Sequence, residues 1–276
     1  MQSVPFDEKE TDQRRQTPDA TNGSLKGRVG LVTGASRRIG IGAAIARALA
    51  ARRADVFITY YRPYDAKQPW NSADSDVEDL LAALRRTGVR TGHLELDLSD
   101  PTAPAKLFDA VEKDLGTPHI LVNNAAAGRL GGIDTLDAES LDEHFAVNIR
   151  AMALLCAEFV RRFTAGSGGR IINLTSGQSL GPMPGELAYI ASKGAVEAFT
   201  LSLSHDVMRR GITVNAIDPG ATDTGWMTEA QKAAWIAHAP GGRLGFPEDA
   251  ARLAAFLASD EAQWITGQIL HSRGGA

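Results

Sequence analysis

The feature that most constrains this chain is a repeated alternation of two residue patterns. Short apolar runs at 27–34, 55–61, 93–97, 119–125, 169–176, 212–220 and 267–272 alternate with amphipathic runs at 42–54, 75–88, 102–116, 140–163, 188–211 and 247–259. Runs such as GRVGLVTG, DVFITYY and GRIINLTS lack polar alternation, which implies strands buried on both faces. The pattern predicts a doubly wound α/β fold, a mostly parallel seven-stranded sheet with helices on both faces. A closed barrel is the alternative. No break in composition divides 27–276, which reads as one domain preceded by a polar arm over 1–26.

Composition narrows the function classes. Of 276 residues 43% are hydrophobic and 22% charged, and the net charge of −4 argues against a nucleic-acid partner. Cys156 is the one cysteine, so neither a disulfide nor a cysteine metal cluster can form within the chain; its setting AMALLCAEF reads as buried packing. MQSVPFDEKETDQRRQ has no apolar core and does not read as a signal peptide. No run approaches the ~20 apolar residues that span a bilayer. The expected compartment is the cytoplasm, with no membrane partner.

The first strand ends in TGASRRIGIG (33–42). Gly34 can turn without a Cβ, and Gly40 and Gly42 allow close approach at the start of the next helix. That helix's first amides and dipole favour a pyrophosphate, although a plain strand–helix turn would look similar. No Gly-Lys-Ser/Thr end is present, which argues against an ATP-type loop. The second strand ends ITYYRPYD with no immediate carboxylate, while Arg62 lies close and Arg37 and Arg38 flank the turn. A carboxylate there would bind a ribose diol and guanidinium groups a 2′-phosphate, so NADP(H) is expected over NAD(H). Asp65 is a counter-signal if its loop folds back.

Three groups fall at strand ends or on one helix. Ser176 closes GRIINLTS, and Tyr189 and Lys193 share a helical face at i,i+4. Asn148 stands mid-helix, where an amide is a mild cost. Carbonyl reduction has a use for all four. Negative charge grows on oxygen as hydride adds to carbon, so a proton donor must lie within reach. A neighbouring ammonium is expected to lower the phenol from its ordinary value of ~10. On spacing alone, ring packing and a solvated lysine are the ordinary reading.

Taken together these motifs resemble the short-chain dehydrogenase/reductase family from about residue 27 to the C-terminus. TGASRRIGIG resembles its cofactor turn, NNAA (123–126) its post-strand motif, NLTS and YIASK its serine and Tyr-x-x-x-Lys, and PGATDT (219–224) the segment after the sixth strand. The resemblance implies a Rossmann fold, with Ser36, Arg37, Arg38, Gly40 and Ile41 in the cofactor turn. Ser176 would orient substrate, Tyr189 act as acid/base, and Lys193 perturb it and hold ribose. Asn148 would hold a water that relays protons to Lys193. Asp97 and Leu98 would meet adenine, and Asn124, Ala125 and Ala126 would run beside ribose and nicotinamide. Pro219, Gly220 and Thr222 would approach the carboxamide, and Thr224 the phosphate. It also implies a homo-oligomer, a tetramer or dimer built on the long helices and the C-terminal strand.

The chain departs from the family pattern in its cofactor turn, where Arg38–Ile39 reads as an insertion. It has Ala126 where glycine is common, and its loop over 62–76 is long, with Trp70 either covering the cofactor or lying at the surface. The expected activity is NADP-dependent oxidoreduction of a carbonyl or secondary alcohol. A 3-oxoacyl thioester is one candidate substrate, with Arg161, Arg162, Arg209 and Arg210 as a docking patch for its carrier. Sugar, steroid, quinone and xenobiotic carbonyls, some with NAD, are others. Enoyl reduction fits less well, because relatives of that type space tyrosine and lysine six residues apart. A non-catalytic NADP sensor or scaffold is the alternative class. Trp226, Met227, Trp235 and Ile236, within 222–245, are expected either to form a lid or to bury against the main helices; His271 reads as structural.

Overall fold

The computed structural model describes residues 24–68, 70, 73 and 75–275. Residues 1–23 of the arm expected over 1–26, and part of the long 62–76 loop, lie outside the described residues. Leu25 is fully buried and its N–H donates to the Arg52 carbonyl at 2.9 Å, so the folded body already includes this residue.

All seven expected strands form: β1 (Val29–Thr33), β2 (Asp55–Tyr60), β3 (Thr91–Glu95), β4 (Ile120–Asn123), β5 (Gly169–Leu174), β6 (Ile212–Asp218) and β7 (Ile269–His271). They lie in the order β3-β2-β1-β4-β5-β6-β7, and every neighbouring pair is parallel. Every residue of β1, β4, β5 and β6 is buried, whereas the edge strands β3 and β7 are only partly so. This is the burial that unbroken apolar runs predict.

Side chains alternate between two cores. On one face Val32, Val56, Ile58 and Val122 meet α1 (Ile41–Ala51), α3 (Asp76–Arg85) and α9 (Pro247–Leu257). On the other Leu31, Phe57, Leu121 and Val214 meet α4 (Ala103–Asp114), α6 (Met152–Arg162) and α7 (Leu187–Val207). Among the described residues no helix is long and apolar enough to cross a membrane.

Two departures from the expected elements concern the crevice. The chain turns after β2 through a short helix, α2 (Arg62–Asp65), which is followed by Lys67, Gln68 and Trp70 on the wall of the crevice. The single helix expected over 140–163 is instead α5 (Ala138–His144), a π-helical stretch over Phe145–Ala151, and α6. A π turn accommodates an extra residue, and such turns recur at functional sites. Here Asn148 lies within it and is 2% exposed. The remaining helix, α8 (Glu229–His238), begins in a capping box between Thr228 and Gln231 and buries none of its residues.

The strand order reverses between β1 and β4, and backbone crowding there depends on glycine. Gly34 follows β1 at φ +69°, and a Cβ on it would stand 2.7 Å from Ala125 Cα. A Cβ on Gly42, in the first turn of α1, would stand 2.6 Å from the Gly34 carbonyl oxygen. Gly34→Ala is expected to lower folding stability by roughly 1–3 kcal/mol, through the left-handed backbone and the clash together. Chemical denaturation checks this; an unchanged midpoint would show that the turn relaxes freely.

Candidate active site

A cavity of about 580 Å³ opens over the carboxyl ends of the strands at the β1/β4 reversal. This is where an open α/β sheet offers a crevice between helices of its two faces. Asn124 braces the floor: its Nδ2 donates to the carbonyls of Thr33 (2.8 Å) and Gly34 (2.9 Å). Ser36, Gly40 and Ile41 line the cavity where α1 begins. That helix has no side-chain cap and no acidic residue in its first turn. Its first amides therefore remain available to an anion, and with the Gly34 and Gly42 cradle these residues fit the pyrophosphate of a dinucleotide.

The three expected arginines separate. Arg37 lines the cavity, its guanidinium 4.4 Å above the Trp70 ring, its Nη1 donating to the Thr224 carbonyl at 2.6 Å and its Nε 3.9 Å from Asp65. Burial lowers its pKa, opposed chiefly by the Asp65 charge. Arg38 is exposed outside the cavity; its N–H donates to Asp76 and its carbonyl accepts from Arg47. Arg62 also lies outside, because its guanidinium is bound to Glu95, the residue paired with Tyr60 across β2 and β3. Asp65 is folded back as the counter-signal required: it is 4% exposed, lines the cavity and accepts from Trp70 Nε1 at 3.3 Å.

Asp97 and Leu98 border the cavity after β3, and Ala125 and Ala126 do so after β4. Ala126 does not have positive φ, so its methyl group is accommodated without backbone strain. Pro219 and Thr224 line the far side. Gly220 and Thr222 do not. Gly220 backs onto Arg273, and the Thr222 hydroxyl is turned to the Pro219 carbonyl at 3.0 Å.

Tyr189 and Lys193 face the same cavity from α7. Ser176, from the loop after β5, is not among the residues lining the cavity, but it is near enough to lower the pKa of the Tyr189 phenol. Lys193 is 3% exposed; its Nζ donates to the Leu174 carbonyl at 2.8 Å and lies 5.6 Å from the Tyr189 ring centroid. The expected lowering of the phenol pKa is not what these surroundings produce. Burial, then the Glu186 carboxylate, push Tyr189 up to about 12 against the lowering by Ser176. Burial meanwhile pulls Lys193 down to about 8. The ammonium sits beneath the ring rather than at the phenol oxygen, so desolvation prevails.

The Asn148 amide is a brace. Nδ2 donates to Ser192 Oγ (2.9 Å) and the Ala127 carbonyl (3.0 Å), while Oδ1 accepts from Ala127 N (2.8 Å). Ser192 in turn donates to the Tyr189 carbonyl at 2.7 Å. The amide thus ties the first turn of α7 to the loop after β4. Of its side-chain groups, only the second lone pair of Oδ1 is left to receive a water.

Several contributors had no sequence motif. Buried His144 accepts from Arg129 N at Nε2 (3.0 Å), turns Nδ1 to the Ser140 carbonyl (2.6 Å), and packs edge-on to Tyr189. The Tyr64 hydroxyl, on α2, accepts from Gly128 N at 3.0 Å. One Glu197 oxygen accepts from Thr175 (3.3 Å), Gln178 (2.5 Å) and Ser179 (3.3 Å), pinning the loop that carries Ser176. Only the helical interval of four between Lys193 and Glu197 could have flagged any of these. Cys156 is buried, its thiol pushed up to about 12, as packing requires.

Comparison with known proteins agrees with this geometry. A family model described as "Enoyl-(Acyl carrier protein) reductase" matches residues 34–276. An uncharacterized oxidoreductase of Bacillus subtilis is 50% identical over 250 residues, spanning 90% of this chain and 96% of its own. A 3-oxoacyl-[acyl-carrier-protein] reductase of Pseudomonas aeruginosa is 36% identical over 91% of this chain and 98% of its own. The crystal structure of a landomycin C-6 ketoreductase with bound NADP and rabelomycin superposes with TM-score 0.79 at 33% identity, covering 92% of this chain and 97% of that one. The chain belongs to the short-chain dehydrogenase/reductase family of NAD(P)(H)-dependent oxidoreductases acting on carbonyl and alcohol substrates.

Proposed function

We propose that this protein reduces the carbonyl group of a small ring-bearing molecule, with NADP(H) as its preferred cofactor. The observation that carries the reading is the Tyr189 ring, with buried Lys193 Nζ 5.6 Å from its centroid, at one end of a cavity whose other end fits a pyrophosphate. When bound, the nicotinamide supplies the hydride that reaches the carbonyl carbon. Ser176 and Tyr189 both donate to the carbonyl oxygen, which fixes the substrate and stabilises the growing negative charge. Tyr189 then gives up its proton, so the carbonyl oxygen becomes the hydroxyl of the product alcohol and the phenolate faces the Lys193 ammonium. Asn148 keeps the first turn of α7 in place through Ser192.

The preference for the phosphorylated cofactor rests on Arg37, the one of the three expected arginines that lines the cavity, and on similarity to a ketoreductase crystallised with NADP. Asp65 in the same wall favours NAD(H), so Arg37 must outweigh it.

A 3-oxoacyl thioester is a second reading, favoured by the similarity to the Pseudomonas reductase. The docking patch expected for it does not support it. Arg161 and Arg162 end α6 and Arg209 and Arg210 precede β6, so all four stand at the amino-terminal edge of the sheet, opposite the cavity. Arg161 and Arg162 are moreover paired with Glu158, Asp109 and Glu112. The Tyr189–Lys193 interval of four likewise speaks against enoyl reduction. Exposed Leu201 and Trp264 support self-association.

Three measurements test the reading. Tyr189→Phe keeps the ring but removes the proton, and NADPH oxidation with a ketone panel should fall at least ~100-fold while NADPH still binds. Unchanged turnover would remove Tyr189 from the chemistry. Arg37→Ala should raise the Kd for NADPH roughly tenfold and leave that for NADH within about twofold, in line with one lost charge-assisted bond. Equal losses would reject the phosphate assignment. Because Lys193 is held near 8, its charge is lost as pH rises through that value, and kcat for reduction should decline there. A profile flat to pH ~10 would detach the ammonium from the reaction.

A further inference from the structure

A second cavity, of about 520 Å³, adjoins the amino-terminal end of α7. Leu130 and Gly131 from the loop after β4, Pro184 and Glu186 from the approach to α7, and Trp226 and Trp235 from the α8 region form its walls. Its floor is stitched by main-chain bonds: Gly131 N donates to the Gly185 carbonyl (2.6 Å) and Leu187 N to the Gly131 carbonyl (3.1 Å). The Glu186 backbone therefore has a fixed place, three residues before Tyr189. Its carboxylate acts electrostatically on the Tyr189 phenol.

Among the described residues, Glu186 makes no side-chain hydrogen bond as the residue preceding α7, and no cation offsets the burial that raises its pKa. A partly buried carboxylate without a donor is costly, and a ligand donor would relieve that cost. The tryptophans beside it are 43% and 44% exposed. Their faces suit a flat ring or a cation. The negative charge of Glu186 disfavours carboxylates and phosphates in the same space.

We infer that Glu186, Trp226 and Trp235 form the subsite for the far end of the substrate, selecting ring-bearing carbonyl compounds that carry a hydrogen-bond donor, a hydroxyl or an ammonium. This rests on the reading of Tyr189 as the proton donor to a carbonyl. It assigns Glu186 to substrate selection, not to the transfer of the proton itself.

The test compares 1-tetralone, 6-hydroxy-1-tetralone and 6-aminomethyl-1-tetralone as substrates of the full-length enzyme with NADPH. A donor-bearing ketone should exceed the plain one in kcat/KM by about tenfold, as one hydrogen bond to a charged acceptor allows. The arm that gains more identifies the donor. Glu186→Gln should shrink that ratio to about threefold and Glu186→Leu to about one; should the leucine variant fail to fold, the glutamine variant carries the comparison. Equal kcat/KM for all three ketones in the wild type, or a ratio that survives loss of the carboxylate, overturns the subsite. Calorimetric titration of the same ketones reports binding without turnover. Donor- and Glu186-dependent binding with no reduction would keep the subsite and reject the reductase reading; no binding and no reduction would reject the subsite.

Discussion

The rest of the structure depends on a contact no larger than one amide group. Asn124, just beyond β4, spans to the carbonyls of Thr33 and Gly34 at the end of β1, and Gly42 of the next helix presses on the same peptide. Two strands whose following connections leave in opposite directions are thereby held at one level. The crevice exists because those connections diverge, and a Cβ at Gly34 or Gly42 would crowd its floor. Everything at the chemical end is measured from this floor. Ala127, three residues past Asn124, receives the Asn148 amide, and that amide holds Ser192 in α7 beside Lys193. The Gly34 turn and the Tyr189 end of the cavity are thus joined through the loop after β4.

Much of this was legible in the sequence because it is local. Unbroken apolar runs predicted the buried strands, and all seven appear within a few residues of the expected bounds. The Gly34, Gly40 and Gly42 turn and the Tyr189–Lys193 pair are likewise short-range patterns. What could not be read depends on partners far along the chain. Arg62 looked like a phosphate ligand because the strand end around it had no carboxylate; Glu95 belongs to the neighbouring strand and reaches it only through the β2–β3 register. Arg37 and Arg38 are adjacent in sequence but differ in surroundings, since the turn points one inward and the other to solvent. The π turn around Asn148 was equally hidden, because periodicity over 140–163 is satisfied by an unbroken helix. Its only trace was an amide at a position where a plain helix would gain from something else.

The electrostatics of Tyr189 were the least legible part. A lysine one turn along the helix suggests an acidic phenol, and the inference fails on geometry: the ammonium is anchored to the Leu174 carbonyl under the ring, while burial acts on the hydroxyl itself. A phenol kept near 12 holds its proton at neutral pH, which suits the reductive direction, where the tyrosine must arrive protonated. The same burial would make a phenolate left after proton transfer expensive, and Lys193, 5.6 Å from the ring centroid, would offset it.

Glu186 bears on that balance from the opposite side. Its negative charge raises the phenol further and so would oppose the proton transfer proposed for Tyr189. A substrate group donating to Glu186 would draw its charge toward the ligand and weaken that opposition. Proton donation would then become easier when the far end of the substrate is seated than when the groove holds water. In energetic terms, binding at a point remote from the reacting carbonyl would lower the barrier at it, which is how contacts away from the chemistry contribute to rate rather than only to affinity. The arrangement needs no moving part: one carboxylate, three residues from the phenol, would meet the ligand and adjust an acidity that burial chiefly sets.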